Sequence, residues 1–124
     1  MSGIVDFSVG TVVYLEYIAP YSGRVYLNFT ATNGDIVLHV NPRYDQNCLV
    51  LNTLIDGKWG PEERPAGFPI TPGAKTCITV AATDSAFVIC ANGAKIGSGY
   101  EYRLPLSEIT GIYTSESEVT IGKV

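Results

Sequence analysis

His39, Asn41 and Arg43 stand two residues apart in Asp35-Ile-Val-Leu-His39-Val-Asn41-Pro-Arg43, and His39 is the one histidine of the chain. Alternate residues of an extended strand share a face, so these three hydrogen-bonding side chains form a row. Asp35 and Val37 extend the row, while Ile36, Leu38 and Val40 face the other way. The next segment, Cys48-Leu-Val-Leu-Asn52, turns Leu49 and Leu51 inward and sets Asn52 beside Val50 on the polar side. Trp59-Gly60-Pro61-Glu62-Glu63-Arg64 then brings the sole tryptophan, with Glu62 and Arg64 on a common face. Trp59 precedes Glu62 by three residues, so a bend or bulge at Gly60-Pro61 must re-aim the indole if all three are to converge. Taken singly, a histidine on a strand, a tryptophan or a Glu/Arg pair is ordinarily a satisfied surface group, a core residue or a solvated ion pair. Together they suit an uncharged polyol, whose C–H patches pack on an aromatic plate and whose hydroxyls need both donors and acceptors.

Other chemistries fit less well. Glycoside hydrolysis needs two carboxyl groups flanking the scissile bond, one with a raised pKa. Glu62 and Glu63 are adjacent and face opposite ways when extended, and arginine neighbours keep Glu62 ionised. One histidine and scattered cysteines do not assemble a metal site, and a Cys48/His39 nucleophile lacks an orienting third group. No cofactor and no catalytic residues are implied. Cys48, Cys77 and Cys90 form no Cys-x-x-Cys and sit among apolar neighbours, so buried free thiols are expected. A net charge of −4 supplies no positive field for nucleic acid. No apolar run approaches the roughly 20 residues of a membrane-spanning helix. Met-Ser-Gly-Ile-Val-Asp carries neither the basic nor the apolar part of a signal peptide, which predicts synthesis in the cytosol, where the sequon Asn28-Phe29-Thr30 meets no glycosylation machinery.

Period-two alternation runs through nearly the whole chain, and no dozen residues carry a helical repeat. The fold expected is all-β. From Val25 to Ala31, Val25, Leu27, Phe29 and Ala31 face a core, opposite Arg24, Tyr26, Asn28 and Thr30. Similar runs occur at Thr11–Ile18, Asp35–Arg43, Cys48–Asn52, Lys75–Val80, Ala86–Cys90, Tyr100–Leu104 and Glu118–Val124. Asn33-Gly34, Asp56-Gly57, Pro72-Gly73 and Asn92-Gly93 supply the reversals. At 124 residues with 46% hydrophobic and 16% charged residues, disorder is excluded and one domain spanning 1–124 is expected. Two packed antiparallel sheets are preferred to a barrel.

The pattern His39-x-Asn41-Pro42-Arg43, Val50-x-Asn52, Trp59-x-x-Glu62-x-Arg64 resembles the carbohydrate-recognition signature of the galectins. Gly67-Phe68-Pro69 and the flanking strands extend the similarity over essentially the whole chain. The resemblance implies a two-sheet jelly-roll sandwich whose concave sheet binds β-galactosides without metal. It implies that His39, Asn41 and Arg43 bond the axial hydroxyl that distinguishes galactose from glucose. Asn52 and Glu62 would hold the exocyclic hydroxymethyl oxygen, Trp59 would stack on the ring, and Arg64, aligned by Glu62, would reach the next sugar. Departures are the short segment Tyr44-Asp45-Gln46-Asn47-Cys48, Val40 and Tyr44 at coreward positions often occupied by Phe, and Pro65, which removes a backbone donor just after Arg64.

Arg24, Tyr26 and Asn28 share the non-core face of the strand before His39, and either extend the sugar groove or are solvated outer-face residues. A single sugar site is weak, so a lectin of this kind is expected to cross-link glycans as a homodimer. Ile4–Phe7 and Val119–Val124 are the candidate edge strands for it. Galectins leave the cytosol by an unconventional route, which fits the N-terminal sequence. The alternative function is a galectin-like structural or interaction domain that has lost sugar binding.

Overall fold

The computed structural model describes residues 7–117 and 119–123. Its ten strands are β1 (Thr11–Ile18), β2 (Leu27–Thr30), β3 (Ile36–Arg43), β4 (Cys48–Ile55), β5 (Lys58–Trp59), β6 (Lys75–Ala82), β7 (Ala86–Ala91), β8 (Ala94–Glu101), β9 (Gly111–Thr114) and β10 (Thr120–Lys123). They form two five-stranded antiparallel sheets, ordered β10-β1-β6-β7-β8 and β5-β4-β3-β2-β9. The all-β, two-sheet expectation holds. In β1, buried Val13, Leu15 and Tyr17 alternate with exposed Tyr14, Glu16 and Ile18, the pattern of a strand with one covered face. Leu27 and Phe29, Leu38 and Val40, and Leu49 and Leu51 meet Ile78, Val80, Phe87 and Ile89 in one core. Phe7 packs edge-on against Phe29 at 5.4 Å and Phe87 at 6.4 Å, joining both sheets. Val40 and Tyr44 point into this core, where the Tyr17 and Tyr44 hydroxyls bond each other at 2.7 Å.

Several expectations change. The run Tyr100–Leu104 is not a strand: β8 lies earlier, and after Glu101 the chain leaves the sheet toward a short 3-10 turn, Leu106–Glu108. Phe87 pairs with Tyr100 but Ile89 with Ile96, so β8 carries two extra residues around Gly97-Ser98-Gly99. That bulge hides its period-two signal. β9 offers only four residues, too few for a pattern, and β4 runs on to Ile55. A bulge between Ile36 and His39 buries both Val37 and Leu38, leaves Ile36 half-exposed and shifts the face expected for Val37. The three cysteines are free but half-buried rather than buried. Cys77 alternates with buried Thr76 and Ile78 and so looks outward. Of the two candidate dimer edges, β10 occupies Thr120–Lys123 at the border of its sheet, whereas residues 4–6 of Ile4–Phe7 lie outside the described residues.

Two hairpins follow the turn dipeptides. Ile55 pairs with Lys58 across Asp56-Gly57, whose φ values of 52° and 76° are those of a two-residue primed turn. Asn92-Gly93, at 50° and 86°, closes β7 onto β8 in the same way.

Candidate functional site

Cross-strand register assembles the polar residues into rows on the outer face of the second sheet. Tyr113 of β9, Asn28 of β2, His39 of β3 and Asn52 of β4 are successive partners in one row. In parallel rows Asn41 pairs with Val50, and Arg43 pairs with Cys48 and bridges Arg24. The Asp56-Gly57 turn then sets Trp59 opposite Leu54. The chain rejoins β4 through Glu63, whose backbone exchanges bonds of 2.8 and 2.9 Å with Leu51. Gly60 still donates its N–H to the Thr53 carbonyl at 3.1 Å, and from there Gly60-Pro61-Glu62 arches across to Glu63, which is the bend the spacing demanded. Trp59 is 50% exposed, so it is no core residue, and its ring lies 4.8 Å from the His39 imidazole. A cleft of about 300 Å³ results, lined by Arg24, His39, Asn41, Arg43, Val50, Asn52, Trp59, Gly60 and Glu62. A depression of about 330 Å³ between β8 and the Glu63-Arg64-Pro65 segment has an aliphatic floor of Leu51, Ile89 and Ile96 and no aromatic wall.

The cleft is held by a chain of charge-assisted bonds. Arg64 donates to Glu62 Oε1 from Nε at 3.1 Å and Nη2 at 2.9 Å, and Arg43 Nη2 donates to Glu62 Oε2 at 3.3 Å. The Arg64 bonds, reinforced by Arg43, keep the Glu62 carboxyl below the usual carboxylate range. Arg43 also donates from Nε to Asn41 Oδ1 at 2.8 Å and from Nη1 to Gln46 Oε1 at 3.0 Å. Asn41 Nδ2 in turn holds the Val25 carbonyl at 2.9 Å. Each arginine is thereby aimed before any ligand arrives. Burial pushes the His39 pKa down, and the Arg43 charge acts in the same direction. The imidazole is therefore neutral at pH 7. Its Nδ1 lies 2.5 Å from Asn28 Oδ1, an atom that only accepts, so the proton sits on Nδ1 and Nε2 is left as an acceptor.

Six of the seven signature residues line the cleft, His39, Asn41, Arg43, Asn52, Trp59 and Glu62, whereas Arg64 borders the neighbouring depression and joins the cleft only through its bonds to Glu62. Arg24 lines the same cleft, held by Asp45 through Nε at 3.2 and 3.3 Å and Nη2 at 3.2 Å. Tyr26 is 40% exposed, and Asn28, beside His39 on the neighbouring strand, bonds its imidazole. Asp35 does not join the row: the β3 bulge turns it under the hairpin, where its carboxylate accepts from the Asp56 N–H at 3.0 Å and Asn33 Nδ2 at 3.2 Å. The short Tyr44–Cys48 segment builds little wall, yet its Asp45 and Gln46 brace two arginines. Sheet pairing stops at Glu63, and Pro65 packs where a Cβ on Gly97 would stand only 2.9 Å away. Sequence reading missed Asp45, Gln46, Tyr113 and Arg103. Tyr113 lies where the four residues of β9 left no periodic signal, and Arg103 lies in the run Tyr100–Leu104, whose alternation pointed to a strand that ends at Glu101.

Residues 4–124 match the family model described as galactoside-binding lectin. The chain belongs to the galectin family. It is 32% identical over 118 residues to galectin-4 of Sus scrofa, a match spanning 92% of this chain and 36% of that protein. It is 34% identical over 102 residues to a 32 kDa beta-galactoside-binding lectin of Haemonchus contortus, spanning 82% and 36%. This galectin thus spans about a third of the length of those relatives. A tetrameric galectin from the ball sponge Cinachyrella superposes with a TM-score of 0.82 at 30% identity, covering 99% of this chain and 97% of that one. A single-residue variant of human galectin-16 reaches 0.87 at 20% identity, covering 100% of this chain and 95% of that one, a likeness of fold. The family whose model this chain matches is one of galactoside-binding lectins. Among the described residues of this galectin, no three His, Cys, Asp or Glu side chains cluster so as to hold a metal.

Proposed function

We propose that this galectin binds lactose- and N-acetyllactosamine-type glycans in the cleft of the second sheet through His39, Asn41, Arg43, Asn52, Trp59, Glu62 and Arg64. The observation that carries the reading is the Arg43–Glu62–Arg64 chain beneath a half-exposed indole, with bonds of 3.3 and 2.9 Å. A galactose ring stacks its apolar face on Trp59. Its axial hydroxyl receives a bond from Arg43 and donates one to His39 Nε2, a pairing open only to a neutral imidazole. Glu62 accepts from the sugar while keeping Arg64 extended toward the second ring. Tyr26, Asn28, Arg24 and the neighbouring Tyr113 extend the groove for substituents beyond galactose. Calorimetric titration with lactose tests the reading: millimolar to sub-millimolar affinity, about 4–5 kcal/mol, is expected. No heat at high lactose would leave the domain structural.

Cross-linking needs a second site, and we propose a homodimer paired along β10, where Ile121 is 36% exposed at the sheet edge. Light scattering at high concentration tests it, and a monomer mass refutes it. Synthesis in the cytosol with unconventional export completes the proposal, because a glycan on Asn28 would displace the amide that orients His39.

A further inference from the structure

We propose that Arg103, a residue outside the cleft, decides which hydrogen-bonding group Asn52 turns toward the ligand and fixes the arch that carries Trp59 and Glu62. The inference rests on the galactoside reading above. Arg103 follows β8, and its side chain is only 23% exposed. Nη1 donates to Asn52 Oδ1 at 3.1 Å, and Nη2 donates to the Pro61 carbonyl at 2.9 Å and to Glu63 Oε2 at 3.3 Å. Its guanidinium carbon sits 4.8 Å over the ring of Tyr100, which is fully buried and anchored by a 2.6 Å bond to Thr53 Oγ1. A planar fork resting on a rigid aromatic floor holds three partners at fixed angles.

Asn52 is 3% exposed, and Oδ1 also accepts from the Thr53 N–H at 2.7 Å. Both lone pairs of that oxygen are therefore taken. Nδ2 gives one hydrogen to the Gly60 carbonyl at 2.9 Å, which leaves its other N–H for the cleft. Turning the amide over would set Nδ2 against two donors and Oδ1 against a carbonyl. Asn52 is consequently a donor only, and it reads a ligand hydroxyl through that hydroxyl's lone pair. Two successive carbonyls of the arch, Gly60 and Pro61, are gripped by Asn52 and Arg103. Their approach is so close that a Cβ on Gly60 would lie 2.8 Å from Arg103 Nη1. Arg103 is thus a positioning residue acting through Asn52 and the arch.

A panel of monodeoxy galactosides tests this on the intact protein. The hydroxyl whose removal weakens wild type but not Asn52→Ala is the one over Asn52, with an expected penalty of about tenfold for one good hydrogen bond. In Arg103→Ala that penalty should shrink below about twofold, while the penalties for hydroxyls read by His39 and Arg43 persist. Arg103→Lys keeps the charge facing Glu63 but cannot bond Asn52 and Pro61 together, so it should show the same selective loss even if the alanine variant fails to fold. Equal shrinkage of every penalty would mean a merely structural role and would overturn the inference. An unchanged penalty at the Asn52 hydroxyl in a folded variant would overturn it too, with the galactoside reading intact. Absence of any galactoside binding by wild type would remove that reading and this inference together.

Discussion

Two outward-facing polar clusters, one on each sheet, differ in what surrounds them. On the first sheet the Tyr14 hydroxyl donates to Glu16 at 2.8 Å and lies 3.0 Å from the Cys77 sulfur, while Lys75 pairs with Glu16 at 3.4 Å. Hydrogen bonds to Cys77 and Glu16 push the Tyr14 pKa up, and the Tyr14 bond holds Glu16 down. The cluster lies on the outer face of its strands, and its Glu16 and Lys75 border a depression of about 280 Å³. On the second sheet Glu62 engages two arginines, one of them only 13% exposed, from an arch that follows the indole of Trp59. Both clusters satisfy a carboxylate with cations and hydroxyl or guanidinium donors. Only the second adds an arch with an indole wall and a cation as buried as Arg43, at 13% exposure against 66% for Lys75, so its donors act where water competes less. Polarity and concavity are common to both surfaces; the aromatic wall and the buried arginine separate them.

The sharpest way to break the comparison is to remove the wall. Trp59→Ala should abolish detectable lactose binding, a loss of roughly 2 kcal/mol or more, with the melting temperature little changed because the ring is half-exposed. Tyr14→Ala, on the first-sheet cluster, should leave lactose affinity as it was. Equal losses in the two variants, measured by calorimetry, would erase the distinction. Next in size is selectivity: glucose and mannose should fail to compete with lactose, since their equatorial 4-hydroxyl or axial 2-hydroxyl leaves polar groups of the cleft unpaired or crowded, at about 1–3 kcal/mol each. Competition by mannose on a par with galactose would end the assignment.

A pH series probes the electrostatics of the second-sheet cluster. The His39 pKa lies below 6.5 and that of Glu62 below 4.5. Affinity should therefore be flat from pH 8 down to 6.5 and fall only under more acidic conditions, as His39 gains a proton and loses its acceptor. Stability follows the same sign: the unfolded histidine takes up its proton near 6.5 while the folded one resists, so the folded state loses its advantage as pH falls through that window. An affinity midpoint at or above 6.5 would contradict the buried, neutral imidazole. The smallest expected effect sharpens the border of the cleft. Galactosides with an anionic 3-substituent should gain a few-fold over lactose, about 1 kcal/mol, and Arg24→Ala with Tyr26→Ala should cancel that gain.

How much of this could be read without coordinates depended on where the signal lay. His39, Asn41, Arg43 and Asn52 were legible because each sits on a strand whose inward partners are plainly apolar, so parity alone assigned a face. The Gly60-Pro61 bend was legible as a necessity of spacing. Val37 and Asp35 were misassigned because a bulge changes parity without marking the sequence. Arg103 was invisible for a different reason: its partners lie 40 to 51 residues away in sequence, and no local pattern encodes a contact of that span. The half-buried state of the cysteines escaped because thiols suit either face of a strand.

The Asp56-Gly57 hairpin has a consequence for how unfolding of this chain can be watched. It joins β4 to β5 through two residues, whereas β1 must find β6 and β10 across most of the chain. Local pairings form early and distant ones late. The sole tryptophan rides on the local pairing, so its fluorescence is a witness to the arch and not to closure of the sandwich. A denaturant titration followed by indole emission should therefore be laid beside one followed by far-ultraviolet circular dichroism. Superimposable curves would mean that arch and sandwich melt as one cooperative unit.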